Sequence, residues 1–382
     1  MFDARAAPFD FGARSIIPFT TGTAYRGQGQ YEKAAEAFER EVQMGEEAGD
    51  SFIWVNALVE VVNTRRVQGK LRQANETCRR ALSRMAERGM YPFGSFAKLE
   101  AALCEVLREQ NELDEAWRRV TEAMTHMPSW NMPVDQLFAH LVLMHIQESQ
   151  GDFAGAFETL RAAKNLQATY STATSVMSRA VDLDEIRLYL ASGDVATAAR
   201  LMDGIQPGAS RLVFLREQEV NMLARVRLAQ GKPDEAVRAL DSLVKDAGAA
   251  ERLTIRLETL TLQACALDTQ GNREAAVALL MKALALAEPE GFVRVFVDEG
   301  EAMRSLLSAA AHRLSPAADQ ASITLKAYIA KLLNVFSGSP ATGAVPHSQG
   351  KAAGLVEPLT SREVQVFSSS PLVIRTKRLP AS

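Results

Sequence analysis

The amino-acid sequence predicts an all-α protein, an α-solenoid in which helical hairpins of about forty residues stack on one another. Three observations predict this fold. A short phrase recurs seven times along the chain, each copy contains a residue suited to a tight turn, and apolar residues flank the copies at helical spacing. No β-rich segment of comparable weight occurs.

The recurring phrase is a turn residue followed five positions later by an alanine. Its copies are Gly29 with Ala34, Gly69 with Ala74, Asn111 with Ala116, Gly151 with Ala156, Gly193 with Ala198, Gly231 with Ala236, and Gly271 with Ala276. Successive turn residues lie 38 to 42 positions apart, so the copies keep a nearly constant register.

The residue types in the phrase have a physical explanation. Glycine tolerates a positive φ best, and its single substitute here, Asn111, is among the next most tolerant residues. Such a residue ends a helix in the left-handed cap conformation. We expect the alanine to lie where two helices approach too closely for a larger side chain. Each copy therefore predicts one helix–turn–helix unit, which buries its apolar face only by stacking on its neighbours.

The chain divides into five predicted segments. They are an irregular N-terminus (1–14), seven hairpins (15–290), a capping segment with helices (291–336), a flexible linker (337–354) and a C-terminal remnant (355–382). Within the capping segment, the alternating apolar residues of 292–297 fit a short strand, an extended cap or neither. The linker is predicted from its glycine, proline and serine content, and the tail after it is expected to be disordered.

Composition excludes several classes of protein. The net charge of −3 offers no strong attraction to nucleic acid or to an anionic membrane. Three scattered cysteines share no metal-ligand or redox spacing, and no stretch of about 20 apolar residues predicts a membrane span. No nucleophile motif or metal-ligand pattern occurs, so the sequence predicts a cytoplasmic protein with no catalytic residue, no metal and no cofactor.

The first unit resembles the tetratricopeptide pattern through Gly22, Tyr25, Gly29, Ala34 and Phe38. That resemblance implies a right-handed superhelix of hairpins with an inner groove lined by the first helix of each pair. The period exceeds the usual 34 residues of that pattern and is similar to the sensor array of MalT-like regulators, which belong to the LuxR-type transcription factors.

Two later segments add to this resemblance. Residues 288–300 (EPEGFVRVFVDEG) resemble the phrase that closes the array in MalT-like regulators, and residues 357–367 (EPLTSREVQVF) resemble the start of a LuxR-type DNA-binding domain. No phosphate-binding G-x-x-x-x-G-K-[ST] motif occurs. Nothing after Phe367 resembles a recognition helix, so we expect no DNA-binding residues and no specific nucleic-acid binding by this chain.

Candidate binding residues come from the position six before each turn residue, which the resemblance places on the groove. Five of these seven residues are strongly polar and form what we call the polar stripe: Asn63, Glu105, His145, Arg187 and Arg225. Trp130, between Pro128 and Pro133, is a further candidate for contact with a ligand. The alternative is that the stripe is an ordinary solvated surface whose charged residues pair with neighbours.

The function that the resemblance implies is that of a regulatory sensor scaffold of a MalT-like regulator. Such a scaffold binds a small-molecule effector or a regulatory protein in the superhelical groove. The alternative is a free-standing tetratricopeptide adaptor for protein–protein interaction. Neither alternative involves a membrane, and the sequence identifies neither the effector nor the oligomeric state.

Overall fold

The computed structural model describes residues 8–338 apart from 90–93, 127–132, 170–174, 209, 247–251 and 315–319. Within these ranges the protein consists of helices and contains no β-strand. The α-helices are α1 (Pro8–Gly27), α2 (Tyr31–Ala48), α3 (Ser51–Val67), α4 (Leu71–Glu87), α5 (Gly94–Glu109), α6 (Leu113–His126), α7 (Pro133–Gln150), α8 (Phe153–Thr169), α9 (Ser175–Ala191), α10 (Val195–Asp203), α11 (Val213–Ala229), α12 (Pro233–Asp246), α13 (Leu253–Thr269), α14 (Arg273–Ala287), α15 (Arg294–Val297), α16 (Gly300–Arg313) and α17 (Gln320–Gly338). A short 3-10 helix (Glu288–Glu290) follows α14.

Helices α1 to α14 pair into seven consecutive hairpins, which we number 1 to 7 from α1–α2 to α13–α14. The predicted all-α solenoid is confirmed. From α3 onward, the first helix of each hairpin also contacts the first helix of the next, so α3, α5, α7, α9, α11 and α13 form one continuous layer. None of the described helices combines the length and the apolar character that crossing a membrane would require.

The turns of the hairpins adopt the predicted left-handed conformation. All seven turn residues have φ between 66° and 89°, and Asn111, at 66°, is the only described residue other than glycine with a positive φ. Each turn is closed by a backbone hydrogen bond typical of a left-handed helix end. In hairpin 2, for example, the N–H of Lys70 donates to the carbonyl of Arg65 at 2.8 Å.

The alanine of each phrase is fully buried, as predicted. Its relative exposure is 0% in all seven hairpins, at Ala34, Ala74, Ala116, Ala156, Ala198, Ala236 and Ala276. A methyl group therefore fills the space where the helices of each hairpin pack together, and a longer side chain would force them apart.

The array returns to contact its own beginning after about five hairpins. Helix α1 of hairpin 1 contacts α11 of hairpin 6, and α3 of hairpin 2 contacts α13 of hairpin 7. At the second contact, a Cβ atom on Gly69 would lie 2.6 Å from the Cβ of Leu253. Thr254 Oγ1 donates a hydrogen bond to the carbonyl of Arg66 at 2.6 Å across the same contact. Gly69 therefore allows both the turn and the close approach of two superhelical turns.

Residues 292–299, which we call the closing segment, join the end of the array to hairpin 3. Residues 294–297 form the single helical turn α15. The expected strand or extended cap is therefore wrong, and the segment is neither of the two. The alternating pattern misleads because the apolar side chains of this segment are buried on more than one of its sides. Phe292 and Phe296 are both 0% exposed within a core shared with Leu103 and Leu107 of α5, so alternation does not reflect one buried and one solvated face.

Two predicted boundaries need correction. Residues 8–14 are helical, not irregular, because Pro8 occupies the first position of α1, where proline is well tolerated. Residues 337 and 338 end α17 and do not belong to the linker. The rest of the linker (339–354), the remnant at 355–382 and residues 1–7 lie outside the described residues.

Candidate functional site

Two members of the polar stripe, Glu105 and His145, belong to a chain of ion pairs that also includes Arg66 and Asp184 and runs across four successive hairpins. Glu105 on α5 accepts one hydrogen bond from Arg66 of α3 at 2.8 Å. The other oxygen of Glu105 lies 2.9 Å from His145 Nδ1 on α7, and His145 Nε2 lies 2.9 Å from Asp184 Oδ1 on α9. Glu105 and His145, which hold the corresponding position of successive hairpins, therefore lie next to each other, as stacked repeats require.

The electrostatics of this chain favour a protonated imidazole. Burial by itself lowers the pKa of His145, but the carboxylates of Asp184 and Glu105 outweigh that effect and raise it to about 9. For Glu105, burial alone would raise the pKa, but the positive charges of His145 and Arg66 hold this pKa well below its usual range. His145 is therefore an imidazolium between two carboxylates at neutral pH.

A second cluster surrounds Asp298 of the closing segment. Arg108 of α5 and Arg187 of α9 each donate to Asp298 Oδ2 at 2.6 Å, and Arg294 pairs with the other oxygen. Burial alone would raise the pKa of Asp298, but these three guanidinium groups hold it far below its usual range. Arg187 also donates to Glu148 Oε1 of α7 at 3.0 Å.

The next residue of the closing segment, Glu299, faces a different helix. Arg225 of α11 donates to Glu299 Oε1 through two nitrogens, at 2.9 and 2.8 Å, and lies 3.7 Å from Glu258 of α13. Asp298 and Glu299 therefore connect the closing segment to three helices of the continuous layer. The two carboxylates bond to different arginines and do not face a common point, as two carboxyl groups acting together as acid and base would.

The ion pairs of Asp298 and Glu299 border a cavity of about 330 Å³. Its walls come from α5, α7, α9, α11 and α13 together with the closing segment and the start of α16. Arg187 and Arg225 of the polar stripe line it, as does Cys265, the stripe-register residue of hairpin 7. The volume lies at the lower end of the range of about 300–1,000 Å³ found for ligand pockets.

One acidic residue of the cavity wall fixes the path of the closing segment. The backbone carbonyl of Glu109 accepts a hydrogen bond from Val293 N at 2.9 Å, and its side chain accepts one from Val295 N at 2.9 Å. Burial raises the pKa of Glu109 to about 7, against the opposing effect of Arg108. The described residues include no cluster of three or more His, Cys, Asp and Glu side chains that could hold a metal ion.

The sequence of this chain matches one known protein family. The family described as the MalT-like TPR region matches residues 7–313, which is most of the chain. This chain belongs to the MalT-like TPR family.

Relatives of this MalT-like chain are curated transcription regulators. The HTH-type transcriptional regulator MalT of Yersinia pestis (strain Pestoides F) is 28% identical over 298 residues, covering 77% of this chain and 32% of the relative. The protein of the same name from Yersinia enterocolitica serotype O:8 / biotype 1B is 27% identical over 302 residues, covering 78% and 33%. The chain thus spans about a third of the length of these curated relatives.

The fold of this MalT-like chain was also compared with solved structures. A Rap protein complexed with competence and sporulation factor has a TM-score of 0.52 at 13% identity, covering 86% of this chain and 98% of the Rap chain. A tetratricopeptide repeat protein from Parabacteroides merdae ATCC 43184 has a TM-score of 0.41 at 14% identity, covering 78% and 98%. The Rap similarity establishes a shared helical-repeat architecture and no more.

The structure places the predicted site residues of this MalT-like array in three different settings. Arg187 and Arg225 line the cavity, whereas Glu105 and His145 belong to the ion-pair chain beside it. Asn63 is partly buried, and its Oδ1 accepts no hydrogen bond from the described residues. Trp130 lies outside the described residues. Binding of a ligand by any of these residues stays a prediction.

Several residues of the cavity were not predicted. Arg108 lies three positions after Glu105, so it extends the same face of α5 by one helical turn, and this spacing could have identified it. Asp298 and Glu299 lie outside the repeats, and no register within the array points to them. Their approach to Arg108 and Arg187 depends on how the superhelix brings the chain end back to hairpin 3.

Proposed function

We propose that this chain is the effector-sensing part of a MalT-like transcription regulator of the LuxR type, and that it binds a small molecule in the cavity beside the closing segment. The transcription-regulating activity of the curated relatives is part of this proposal, because the chain spans about a third of their length. The chain itself acts as a binding scaffold and not as an enzyme.

The observation that carries the proposal is that Asp298 and Glu299 contribute to both the cavity wall and the ion pairs of the closing segment. A ligand in the cavity would lie beside these two carboxylates, whose partners are Arg108, Arg187 and Arg225. Binding there would change the balance of charges that joins the closing segment to α5, α9 and α11. The closing segment leads directly into α16 and α17, so occupancy of the cavity can reach the residues that follow the array.

The mouth of the cavity offers a direct test. Ala191, Ala229 and Ala302 line the cavity and are exposed, which places them at its opening. Ala229→Leu at the end of α11 narrows this opening without removing a charged group. Ala86→Leu, at an exposed position near the end of α4, is the matched control.

The experiment is a thermal-shift screen of sugars, amino acids and nucleotides, followed by calorimetric titration of any compound that raises the melting temperature. A ligand present at 100 times its Kd stabilises the folded state by about 2.7 kcal/mol. We expect Ala229→Leu to weaken binding at least tenfold and Ala86→Leu to leave it unchanged. The proposal is wrong if no small molecule binds, or if Ala229→Leu binds the compound as tightly as the parent does.

A second candidate function is that of an adaptor for a regulatory protein or peptide. The observation in its favour is the shared architecture with the Rap protein, which was solved in complex with competence and sporulation factor. An adaptor would use a surface larger than the cavity, so Ala229→Leu would not affect partner binding. If Ala229→Leu and Ala86→Leu both bind a protein partner as the parent does, and the small-molecule screen is negative, the result would favour the adaptor.

A further inference from the structure

Two arginines of the cavity lining keep part of their hydrogen-bonding capacity free. Arg187 donates through Nε to Glu148 and through Nη2 to Asp298. Arg225 uses the same two nitrogens to donate to Glu299. The Nη1 atom of each arginine makes no hydrogen bond to the described residues, and neither Nη1 is among the fully buried atoms that lack a partner. Both residues line the cavity with side chains 26% and 21% exposed, so a ligand there can reach these two atoms.

The two free Nη1 groups belong to like charges on neighbouring helices. Arg187 lies on α9 and Arg225 on α11, and these two helices pack directly against each other. Burial and the positive charge of Arg187 act to lower the pKa of Arg225, whereas the carboxylates of Glu299 and Glu258 raise it above its usual range. The two guanidinium groups therefore repel each other, and negative groups beside them reduce that repulsion.

The closing segment already supplies such negative groups. Asp298 accepts a hydrogen bond from Arg187 at 2.6 Å. The next residue, Glu299, accepts one from Arg225 at 2.8 Å. Two carboxylates joined by a short piece of chain thus reach both arginines at once. Guanidinium and carboxylate groups also match in shape, since both are planar and can form two parallel hydrogen bonds. This internal pair indicates the form of a ligand that suits the two arginines, namely two carboxylates on a short connector.

The charge of the lining determines how such a ligand enters. Four arginines and five carboxyl groups line the cavity, so two added negative charges are unfavourable while Asp298 and Glu299 keep their partners. Asp298 also bonds to Arg108 and Arg294. The carboxylate of Glu299, in contrast, bonds only to Arg225 among the described residues. Glu299 is therefore the carboxylate that an entering ligand displaces most easily.

We propose that the cavity binds a small aliphatic dicarboxylate whose two carboxylates accept hydrogen bonds from Arg187 and Arg225, and that this ligand displaces Glu299 from Arg225. Glu299 immediately precedes α16, so its displacement alters the junction between the array and the helices that follow it. The inference rests on the proposed effector-binding function. It adds the chemical class of the effector and the contact that effector binding breaks.

The first test uses the unmodified chain and a series of dicarboxylates from succinate to azelate, titrated by calorimetry. We expect one chain length to bind most tightly, because the connector must match the separation of the two arginines. The matched probes are the monoamide of that dicarboxylate, which keeps one charge, and its diamide, which keeps none. We expect at least tenfold weaker binding for the monoamide and no binding for the diamide. Inorganic phosphate, which carries its charge on one centre, should also bind at least tenfold more weakly.

The second test removes the internal competitor. Glu299→Gln keeps the size of the side chain but weakens its bond to Arg225, so we expect the dicarboxylate to bind at least fivefold more tightly. If Glu299 only stabilised the site, the same change would weaken binding. Glu301→Gln removes one negative charge from an exposed position on α16 and should leave the affinity unchanged. Arg225→Gln removes one of the two contacts with the ligand and should weaken binding at least tenfold.

Hydrogen exchange separates displacement from a simple effect of charge. Loss of a negative charge from the lining favours any anion, but only displacement of Glu299 frees the end of the closing segment. The N–H groups of Asp298 and Glu299 donate to the carbonyls of Arg294 and Phe296. Saturation of the parent chain with the dicarboxylate should therefore speed exchange of these two amides and leave exchange in α4 unchanged.

Each outcome supports or overturns the inference. Equal affinity for the dicarboxylate and its monoamide or phosphate overturns it, and so does unchanged or weaker binding in a folded Glu299→Gln variant. Unchanged or slower exchange of the two amides overturns the displacement. If Arg225→Gln does not fold, the probe series and Glu299→Gln decide without it. Binding of an uncharged compound that Ala229→Leu weakens, with no dicarboxylate bound, overturns the inference but leaves the proposed sensing function intact. Failure of every compound in the wider screen overturns both.

Discussion

His145 provides a sensitive test of the ion-pair chain that crosses the array. Its imidazolium lies between Glu105 and Asp184, with both contacts at 2.9 Å. Replacing it by glutamine removes the positive charge and leaves the two carboxylates facing each other across the site. Because Glu105 keeps its contact with Arg66, we expect the array to be destabilised but to remain folded.

The magnitude follows from the pKa. Its rise from 6.5 to about 9 corresponds to about 3 kcal/mol, at about 1.36 kcal/mol for each pKa unit. Because the folded-state pKa lies above the unfolded-state value, this stabilisation is fully present below about pH 6.5 and is lost as the pH rises through about 9. The difference in stability between the parent and His145→Gln should therefore be about 3 kcal/mol at pH 6 and much smaller at pH 10.

The assay is urea denaturation of the parent and of His145→Gln at pH 6, 8 and 10, followed by circular dichroism. His140→Gln is the matched control, because His140 lies on the same helix and its Nδ1 lies 2.7 Å from the backbone carbonyl of Gln136, one turn earlier. We expect the control to change the midpoint little at any pH. A parent–variant difference that stays constant from pH 6 to pH 10 would refute the argument, since it would mean that folding does not raise the pKa of His145.

Three further predictions test other parts of the structure. Ala156→Leu should overpack hairpin 4 and lower the free energy of unfolding by about 1–3 kcal/mol, whereas leucine at the exposed Ala154 should not. Burial, together with Glu60, raises the pKa of Glu41 to about 7. Ionisation of Glu41 therefore lowers the free energy of unfolding as the pH rises from about 4.5 to 7. Glu41→Gln should therefore be more stable than the parent by about 1–3 kcal/mol in urea denaturation at pH 8, with little difference at pH 4. Asp298→Asn leaves the arginines around it without a full counter-charge and should cost about 3–5 kcal/mol, with faster hydrogen exchange in the closing segment; unchanged exchange there would contradict its role.

The local pattern of the repeats could be predicted because each constraint lies within a few residues of its partner. Asn111 shows this most clearly. It stands where the other repeats have glycine, and its φ of 66° is what the register predicts. The same short-range logic predicted the burial of Ala34 and of the six equivalent alanines, because the turn sets the position of the next helix relative to the last.

The alternation at 292–297 shows where such reasoning fails. Phe292 and Phe296 are buried because the superhelix brings hairpin 3 against the closing segment, and no residue near them in sequence indicates that contact. The same holds for the cavity. Arg108 lies 190 positions from Asp298, so their ion pair depends on the small rotation between neighbouring hairpins, added up over the array.

The sequence by itself therefore determined the hairpin, its turn and its close helix contact, as well as the register that aligns Glu105 with His145. Those features follow from steric and hydrogen-bonding limits that act within one or two adjacent repeats. Only the tertiary structure decided that about five hairpins complete a turn, that α13 returns to α3, and that Asp298 and Glu299 meet the arginines of the layer. Small differences in packing angle accumulate from one hairpin to the next, and a local pattern of residue types does not specify their sum.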